Sequence, residues 1–424
     1  MLNRRDLFRG TLGLAAGAAL TSCGDGDAAN GGPVTINFWH GQTDTAVLVI
    51  EDLVQDFERN NPNIKVDMGG GVLADAMLQK VLAALAAGSY PDVAYIFGSD
   101  LANIARSPKV VDLTDLVEGT GADYWPSVRE AVTINGKVRA APALVDSLAV
   151  VCNKEVFSKA GVDLPQEGWR WRDFVETAKA LTDESAGVFG TGWPGVGDED
   201  TVWRLWPLVW DAGGDIIASS GSGIGFADAG VKALQVIQDL ARDKSVYIDP
   251  KSGSEQMYQV FLSGRMGMVP TGPWELPDIT DAGVDYHVVP LPTFSGHAVT
   301  ISGPDTWTMF DNGPARVDAA RTFVSWLIAP EQDVRWALGA GSLPLSKQSE
   351  SSPEWRKYAA ETPGLSDFAE ALEHARVRPV HPAYPEISQA LGQAIAAVLL
   401  GRSSPEDAMR ACADESNSAL RIPR

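Results

Sequence analysis

Val34-Thr35-Ile36-Asn37-Phe38-Trp39, Ile64 to Met68 and Pro91-Asp92-Val93-Ala94-Tyr95-Ile96-Phe97 read as three strands. Between the first two, Val47, Ile50, Leu53, Val54 and Phe57 recur at helical spacing, and Asn60-Asn61-Pro62 stops that helix. A second helix is predicted over about 72–87. Strand, helix, strand, helix, strand is the pattern of a parallel α/β sheet. Gly69, Gly71 and Ala74 fit a dinucleotide-type glycine loop, but they follow the second strand instead of the first. Asp92 opens the next strand where a ribose-binding acid would close it, so a tight turn is the reading.

Working outward, the loops after the first and third strands are polar. They carry His40, Gln42, Thr43 and Asp44, and then Gly98, Ser99 and Asp100. Ligands of open α/β sheets bind at the carboxyl ends of the strands. Loops are also polar for no reason beyond solvent exposure.

Upstream, Arg4 and Arg5 precede a short apolar run from Gly10 to Leu20, and Leu20-Thr21-Ser22-Cys23 follows. A basic start, a short apolar middle and small residues at a cut site describe an export signal over residues 1–22. The run is too short to span a bilayer as a helix. Its ending resembles the bacterial lipoprotein box, which implies cleavage before Cys23 and lipidation of that thiol. The arginine pair with Leu7-Phe8 resembles a Tat signal, although Asn3 stands where Ser or Thr is usual. Residues 23–32 then form the lipidated Cys and a tether.

The 424-residue chain exceeds what one hydrophobic core supports, so two domains are expected. Beyond residue 22 it carries 31 basic against 54 acidic side chains, a net charge of −23. That balance excludes nucleic acid and attraction to an anionic membrane face as partners. Cys152, in an apolar run, and Cys412, in the last predicted helix, read as buried free thiols; two distant cysteines establish no disulfide. The five histidines are scattered, and no metal-ligand cluster, nucleophile motif or cofactor fingerprint appears. No metal, no cofactor and no catalytic residue is therefore expected.

Downstream, Leu144 to Lys154 is an extended stretch with a polar break at Asp146-Ser147. Helices are predicted at 171–181 and 201–211, where Trp203, Trp206 and Trp210 share one face and read as core. Trp193, in Gly192-Trp193-Pro194-Gly195, reads as a loop residue with a free ring of the kind a sugar's C–H face stacks on. A strand leads to Gly272-Pro273-Trp274-Glu275, and Ile301 to Met309 forms a second extended polar crossing.

Several stretches together match one family. They are Gly88-Ser89-Tyr90-Pro91-Asp92-Val93; Pro142 with Asn153-Lys154-Glu155-Val156-Phe157 to Val162; and Trp171-Arg172-Asp173-Phe174 with Ala178, Leu181 and Thr182. Phe261, Gly264, Met266, Met268, Gly272 and Trp274 form the most specific one. Ala320, Phe323, Trp326-Leu327, Pro330-Glu331-Gln332 and Leu343-Pro344 complete the set. The chain resembles the extracellular solute-binding proteins of bacterial ABC importers, in the maltose-binding-protein-like, carbohydrate-binding group. It departs from the pattern at Cys152, where Tyr is usual, and at Glu167-Gly168.

The resemblance implies an α/β, two-lobed periplasmic-binding-protein-like fold of type II, with a hinge and an inter-lobe cleft. Lobe 1 would comprise 33–145 and 301–345, and lobe 2 would comprise 146–300 and 346–424. The implied cleft residues are His40, Gln42, Asp44, Ser99 and Asp100 from the first lobe, Asp146, Ser302 and Asp305 from the crossings, and Trp193, Trp274 and Glu275 from the second. Gly341, Ser342, Arg378 and Tyr384 complete the set. The implied function is capture of a mono-, oligo- or amino sugar and its delivery to ABC permease transmembrane subunits. The protein would be a monomer, anchored through Cys23 to the outer face of the cell membrane. A glycerophosphodiester or polyol carrier of the same fold is the alternative, and it would want an Arg or Lys in the cleft. A secreted glycosidase is a remoter one, needing two acids flanking one bond.

Overall fold

The strands that carry the architecture are β1 (Val34–Trp39), β2 (Ile64–Gly69), β3 (Val93–Phe97), β4 (Ala141–Leu144), β5 (Ala149–Asn153) and β6 (Thr191–Pro194). They continue with β7 (Val246–Asp249), β8 (Met268–Thr271), β9 (Tyr286–Val289), β10 (Ile301–Ser302), β11 (Asp305–Met309) and β12 (Arg376–Val377). The computed structural model describes residues 32–42, 44–69, 71–72 and 74–422, with the backbone alone at Asp44, Thr45 and Asp75. The predicted export signal, Cys23, tether residues 24–31 and the Asp44 side chain lie outside the described residues.

The first sheet has the order β2-β1-β3-β11-β4. β1 runs parallel to β2 and β3, and β11 runs antiparallel to β3 and β4. Alternation on β1 turns Ile36 and Phe38 inward onto helix Asp44–Asn60, whose Ile50, Leu53, Val54 and Phe57 are buried. Phe38 and Phe57 both meet Phe323 of helix Pro314–Leu327 edge-on, with centroids at 5.4 and 4.9 Å. Asp92 is buried just before β3. It accepts hydrogen bonds from the Asn37 N–H at 2.7 Å and from Arg316 Nε at 2.9 Å. It is thus a structural clamp between β1 and β3, consistent with reading the preceding glycines as a turn.

In the second lobe β5 pairs antiparallel with β8 and β9, and β6 pairs parallel with β7. Phe189 and Gly190, at the entry to β6, accept the N–H groups of Gly267 and Met268 at 2.9 Å each. That contact joins the two pieces in the order β7-β6-β8-β5-β9. Both lobes therefore share one plan. In each, the fourth strand is antiparallel and arrives directly from the crossing: β5 after β4, and β11 after β10. Asn153 ends β5 and caps the helix Lys154–Ala160, accepting from the Glu155 and Val156 N–H groups at 3.1 and 3.2 Å. The aromatic core of this lobe gathers Trp171, Phe174, Trp206, Phe226 and Tyr384, all buried. Cys152 and Cys412 lie in it as buried free thiols, as expected.

The segments between the lobes are tied to one another. The Leu343 N–H donates to the Val145 carbonyl at 2.9 Å, the Gly303 N–H to Asp146 Oδ1 at 2.8 Å, and the Leu148 N–H to Thr300 Oγ1 at 3.1 Å. After Leu345 the chain stays on the first lobe for another turn, with the Lys347 N–H on the Asp123 carbonyl at 3.1 Å. Residues 384–399 then pack on 199–203 and on the last helix, Pro405–Arg421.

Two expectations are corrected here. Gly192-Trp193-Pro194 is not a loop but part of β6, in register with Tyr247 to Asp249. Its flanking Gly and Pro resemble turn punctuation, yet parallel pairing and burial on both faces prevail. Residues 201–211 are not one helix. Glu199–Trp203 and Trp206–Asp211 are separate helices, the second started by Pro207, which suits a first turn but not an interior.

Candidate functional site

Between the carboxyl ends of the two sheets lies a cleft of about 460 Å³. The first lobe lines it with Gln42 after β1, Tyr95 and Phe97 of β3, Leu144 of β4, Asp305 of β11 and Ser342. The second lobe contributes Glu199, Asp200 and Trp203, then Tyr258, then Trp274 and Glu275 after β8. Asp146, Gly303 and Arg378 come from the connecting segments. Gln42, Trp274 and Glu275 follow strand ends, where this sheet plan leaves backbone free to turn, while Tyr95 stands within β3 and Tyr258 on the helix Glu255–Leu262.

The Glu199 and Asp200 carboxylates of the second-lobe wall are answered within the protein. Glu199 Oε1 accepts from Arg378 Nη1 at 2.9 Å and from the Tyr384 hydroxyl at 2.7 Å, while Ser388 donates to Oε2. Trp206 Nε1 in turn donates to the Tyr384 hydroxyl at 3.0 Å. Beside this network the buried Arg204 donates to the Pro270 carbonyl at 3.1 Å, to the Tyr258 hydroxyl at 2.6 Å and to the Asp200 carboxylate. Both guanidiniums are raised further above their ordinary range by these carboxylates, against the pull of burial, which is the largest influence. The Trp203 and Trp274 rings sit together with centroids 5.6 Å apart, tilted by 51°.

The first-lobe wall differs. Burial pushes Asp146 up to about 7, eased by the Gly303 N–H and the charge of Arg378. Burial and the charge of Asp146 push Asp305 up to about 8, eased by the Tyr95 hydroxyl and more weakly by Arg378 and the Gly98 N–H. Tyr95 donates to Asp305 Oδ2. Asp305 Oδ1, Ser342 Oγ and, across the cleft, Trp203 Nε1 have no hydrogen-bond partner, although their residues are only 6, 4 and 7% exposed. Native interiors leave few such atoms.

Gly341 brings the lobes into contact. Its φ of +68° suits glycine, and a Cβ there would lie 2.8 Å from Trp274 Cα. The Trp274 ring folds back over Gly272, where a Cβ would sit 1.9 Å from the ring. These contacts give physical content to the Gly-Pro-Trp motif: the glycine makes room for the ring that follows it.

Of the residues implied by the resemblance, Gln42, Asp146, Trp274, Glu275, Asp305, Ser342 and Arg378 line the cleft. Gly341 stands between lining residues, and Tyr384 lies one layer behind, bonded to Glu199. His40, Ser99, Asp100, Trp193 and Ser302 lie outside the lining, and the Asp44 side chain lies outside the described residues. His40 packs on Phe38 at 5.6 Å, and its partial burial lowers its pKa, with Glu51 opposing. Ser99 is buried, and Asp100 is half-buried beyond it. Ser302 turns its hydroxyl to Ser127 Oγ at 3.3 Å. Trp193 is 1% exposed, with Nε1 donating to the Thr201 carbonyl at 3.1 Å, so its ring belongs to the core and not to a stacking surface. Tyr95, Glu199, Asp200, Trp203 and Tyr258 were missed as site residues. Trp203 carried a signal, since its ring stood out in sequence, but helical periodicity assigned it to the core along with Trp206 and Trp210.

Residues 43–334 match the family model described as bacterial extracellular solute-binding protein. An uncharacterized lipoprotein encoded in the oleD 5′ region of Streptomyces antibioticus is 28% identical over 350 residues, covering 79% of this chain and 75% of the relative. Among solved structures, the cyclic α-maltosyl-1,6-maltose binding protein of Arthrobacter globiformis superposes with a TM-score of 0.76 at 25% identity, over 92% of this chain and all of that one. UgpB of Mycobacterium tuberculosis, in complex with glycerophosphocholine, gives 0.81 at 20% identity over 92% of this chain and 98% of that one, a likeness of fold.

Proposed function

The chain belongs to the bacterial extracellular solute-binding protein family, and from that premise we propose that it is the carbohydrate-capturing component of an ABC importer. In this reading a sugar binds in the cleft between the two lobes, and the liganded protein engages the permease subunits. It acts by binding and release, without chemistry on the sugar. The export signal, Tat routing and lipid attachment at Cys23 belong to the same proposal, supported by the lipoprotein among its relatives. So does a monomer held at the outer face of the membrane.

The observation that carries the proposal is the cleft wall itself. Two tryptophan rings stand beside three buried polar atoms that have no protein partner: one N–H donor, one carboxylate oxygen and one hydroxyl. An apolar face ringed by alternating donors and acceptors is the chemistry of a sugar. Closure of the lobes by hinge motion follows if the ligand bonds to both walls at once. The glycerophosphodiester alternative has less support, because Arg378, the one basic lining residue among the described residues, is already given to Glu199.

The test is titration of the purified protein with neutral and amino mono- and oligosaccharides and with glycerophosphodiesters, read by tryptophan fluorescence and melting temperature. A ligand that binds only the folded state raises stability. A shift with a sugar supports the proposal, and a shift with phosphodiesters alone refutes it.

A further inference from the structure

Carboxylates dominate the cleft: among the described residues, seven of the lining side chains are Asp or Glu, and Arg378 is the only basic one. Glu199 is answered within the protein by Arg378, and Asp200 by Arg204. Asp146 and Asp305 are different. They come from two crossing segments that the Gly303 N–H fastens together at Asp146 Oδ1, 2.8 Å away. Asp305 feels the charge of Asp146, and the Arg378 guanidinium whose charge reaches both is already bonded to Glu199. Asp305 gives one oxygen to the Tyr95 hydroxyl and keeps the other, Oδ1, without a partner at 6% exposure. Ser342 Oγ, 4% exposed and also unpartnered, lies in the same lining. A buried carboxyl oxygen without a partner, beside a second buried carboxyl, is answered by an ammonium, which offers an N–H and favours the charged carboxylate that burial opposes.

Resting on the carbohydrate reading above, we propose that the ligand is an amino-substituted sugar whose protonated amine donates to Asp305 Oδ1, with Ser342 taking a neighbouring hydroxyl. The shared chemistry is an ammonium group, which a free amino sugar or a choline headgroup could each supply. A primary or secondary ammonium offers the N–H that Oδ1 lacks. A quaternary one has only a charge to offer, and it would bring a phosphate into a cleft of carboxylates.

The experiment is calorimetric titration of the full chain with matched pairs: chitosan dimer and trimer against cellobiose and cellotriose, and glucosamine against glucose and N-acetylglucosamine. Glycerophosphocholine forms a separate arm. The amine member of at least one pair is expected to bind ten-fold or more tightly than its hydroxyl counterpart. Acetylating the amine is expected to erase the gain, and raising salt to narrow it. Asp305→Asn is expected to bring the ratio within a pair close to one. The acetylated ligand tests the same charge without altering the protein, so a poorly folding variant leaves the test intact. Equal or tighter binding of the neutral member in every pair overturns the inference and leaves the sugar reading standing. Binding of no sugar at all sinks the sugar reading and this inference with it. Ten-fold selectivity for glycerophosphocholine over both members of every pair overturns the N–H donor to Asp305.

Discussion

The two lobes are built on one strand plan, yet they furnish the cleft in opposite ways. The second lobe answers its own charges: Glu199 with Arg378, Tyr384 and Ser388, and Asp200 with Arg204, whose guanidinium also bonds Tyr258. The first lobe leaves Asp305 Oδ1 and Ser342 Oγ without partners and keeps carboxylates raised by burial. Among the described residues, every carboxylate pushed up to about 7 or 8 lies in the first lobe or the crossing beside it: Asp146, Asp305 and Asp333. The difference teaches that a shared topology positions strand ends without dictating their chemistry. One wall closes its carboxylates into a polar network and leaves only Trp203 Nε1 open among the donors discussed; the other leaves a carboxyl oxygen and a hydroxyl open to bonds from outside.

If that contrast is right, the largest effects come from breaking the finished wall. Arg204→Met strands Asp200 beside a buried hole and is expected to destabilise the fold by about 3–5 kcal/mol. Trp193→Ala is expected to fall in the same range, about 3–5 kcal/mol, because it empties a core position of the same lobe. Chemical denaturation checks both, and a near-neutral Trp193→Ala would return that ring to the surface.

Substitutions on the unfinished wall are expected to act more on binding. Tyr95→Phe removes the hydroxyl that donates to Asp305 Oδ2 and is expected to cost about 1–3 kcal/mol of stability. Sugar affinity is expected to fall at the same time, as read by calorimetry beside the melt. Trp274 is the exception that sharpens the comparison. It is a second-lobe residue, yet its half-buried ring faces the cleft, so Trp274→Ala is expected to lower sugar affinity about ten-fold, or about 1.4 kcal/mol. Its melting temperature is expected to move little. Gly341→Ala pushes a methyl against Trp274 at the contact between lobes, and weaker sugar binding is expected there too, visible in the dissociation rate.

Stability also depends on pH. Unfolded, the three first-lobe carboxylates release their protons near the ordinary value of about 4. Folded, they hold them up to about 7 or 8. Folding therefore takes up protons between these values, so these groups make stability fall as pH rises from about 4 to about 8. Below that window they contribute nothing, and above it their full cost is present. Melting temperatures across the window are expected to show the decline, and Asp305→Asn to flatten it. An unchanged slope in that variant would assign the decline elsewhere.

How much was legible in sequence follows from which residues carry a periodic or covalent signature. The first sheet was readable because Ile36 and Phe38 alternate and Ile50, Leu53 and Phe57 recur at helical spacing, both direct images of one buried face. Asp146, Trp274 and Asp305 could be carried to the cleft because each sits next to a motif the family shares. Glu199 and Asp200 were not found, since an acidic pair after a glycine loop looks like any solvated turn until Arg378, about 180 positions later, is placed against it. Trp193 was misread because its neighbours Gly192 and Pro194 punctuate turns in most contexts, and only pairing with β7 overrides them.

The sequence by itself determined the α/β alternation, the acidic exterior, the family and the strand ends from which a site could be built. Those properties are local, fixed by periodicity, composition and short motifs. Tertiary structure alone decided which tryptophan faces the cleft and which arginine answers which carboxylate. It also decided that Asp305 keeps one oxygen unbonded while Glu199 keeps none. Partnering of buried charges depends on distances between residues far apart in the chain, and no local pattern records those distances.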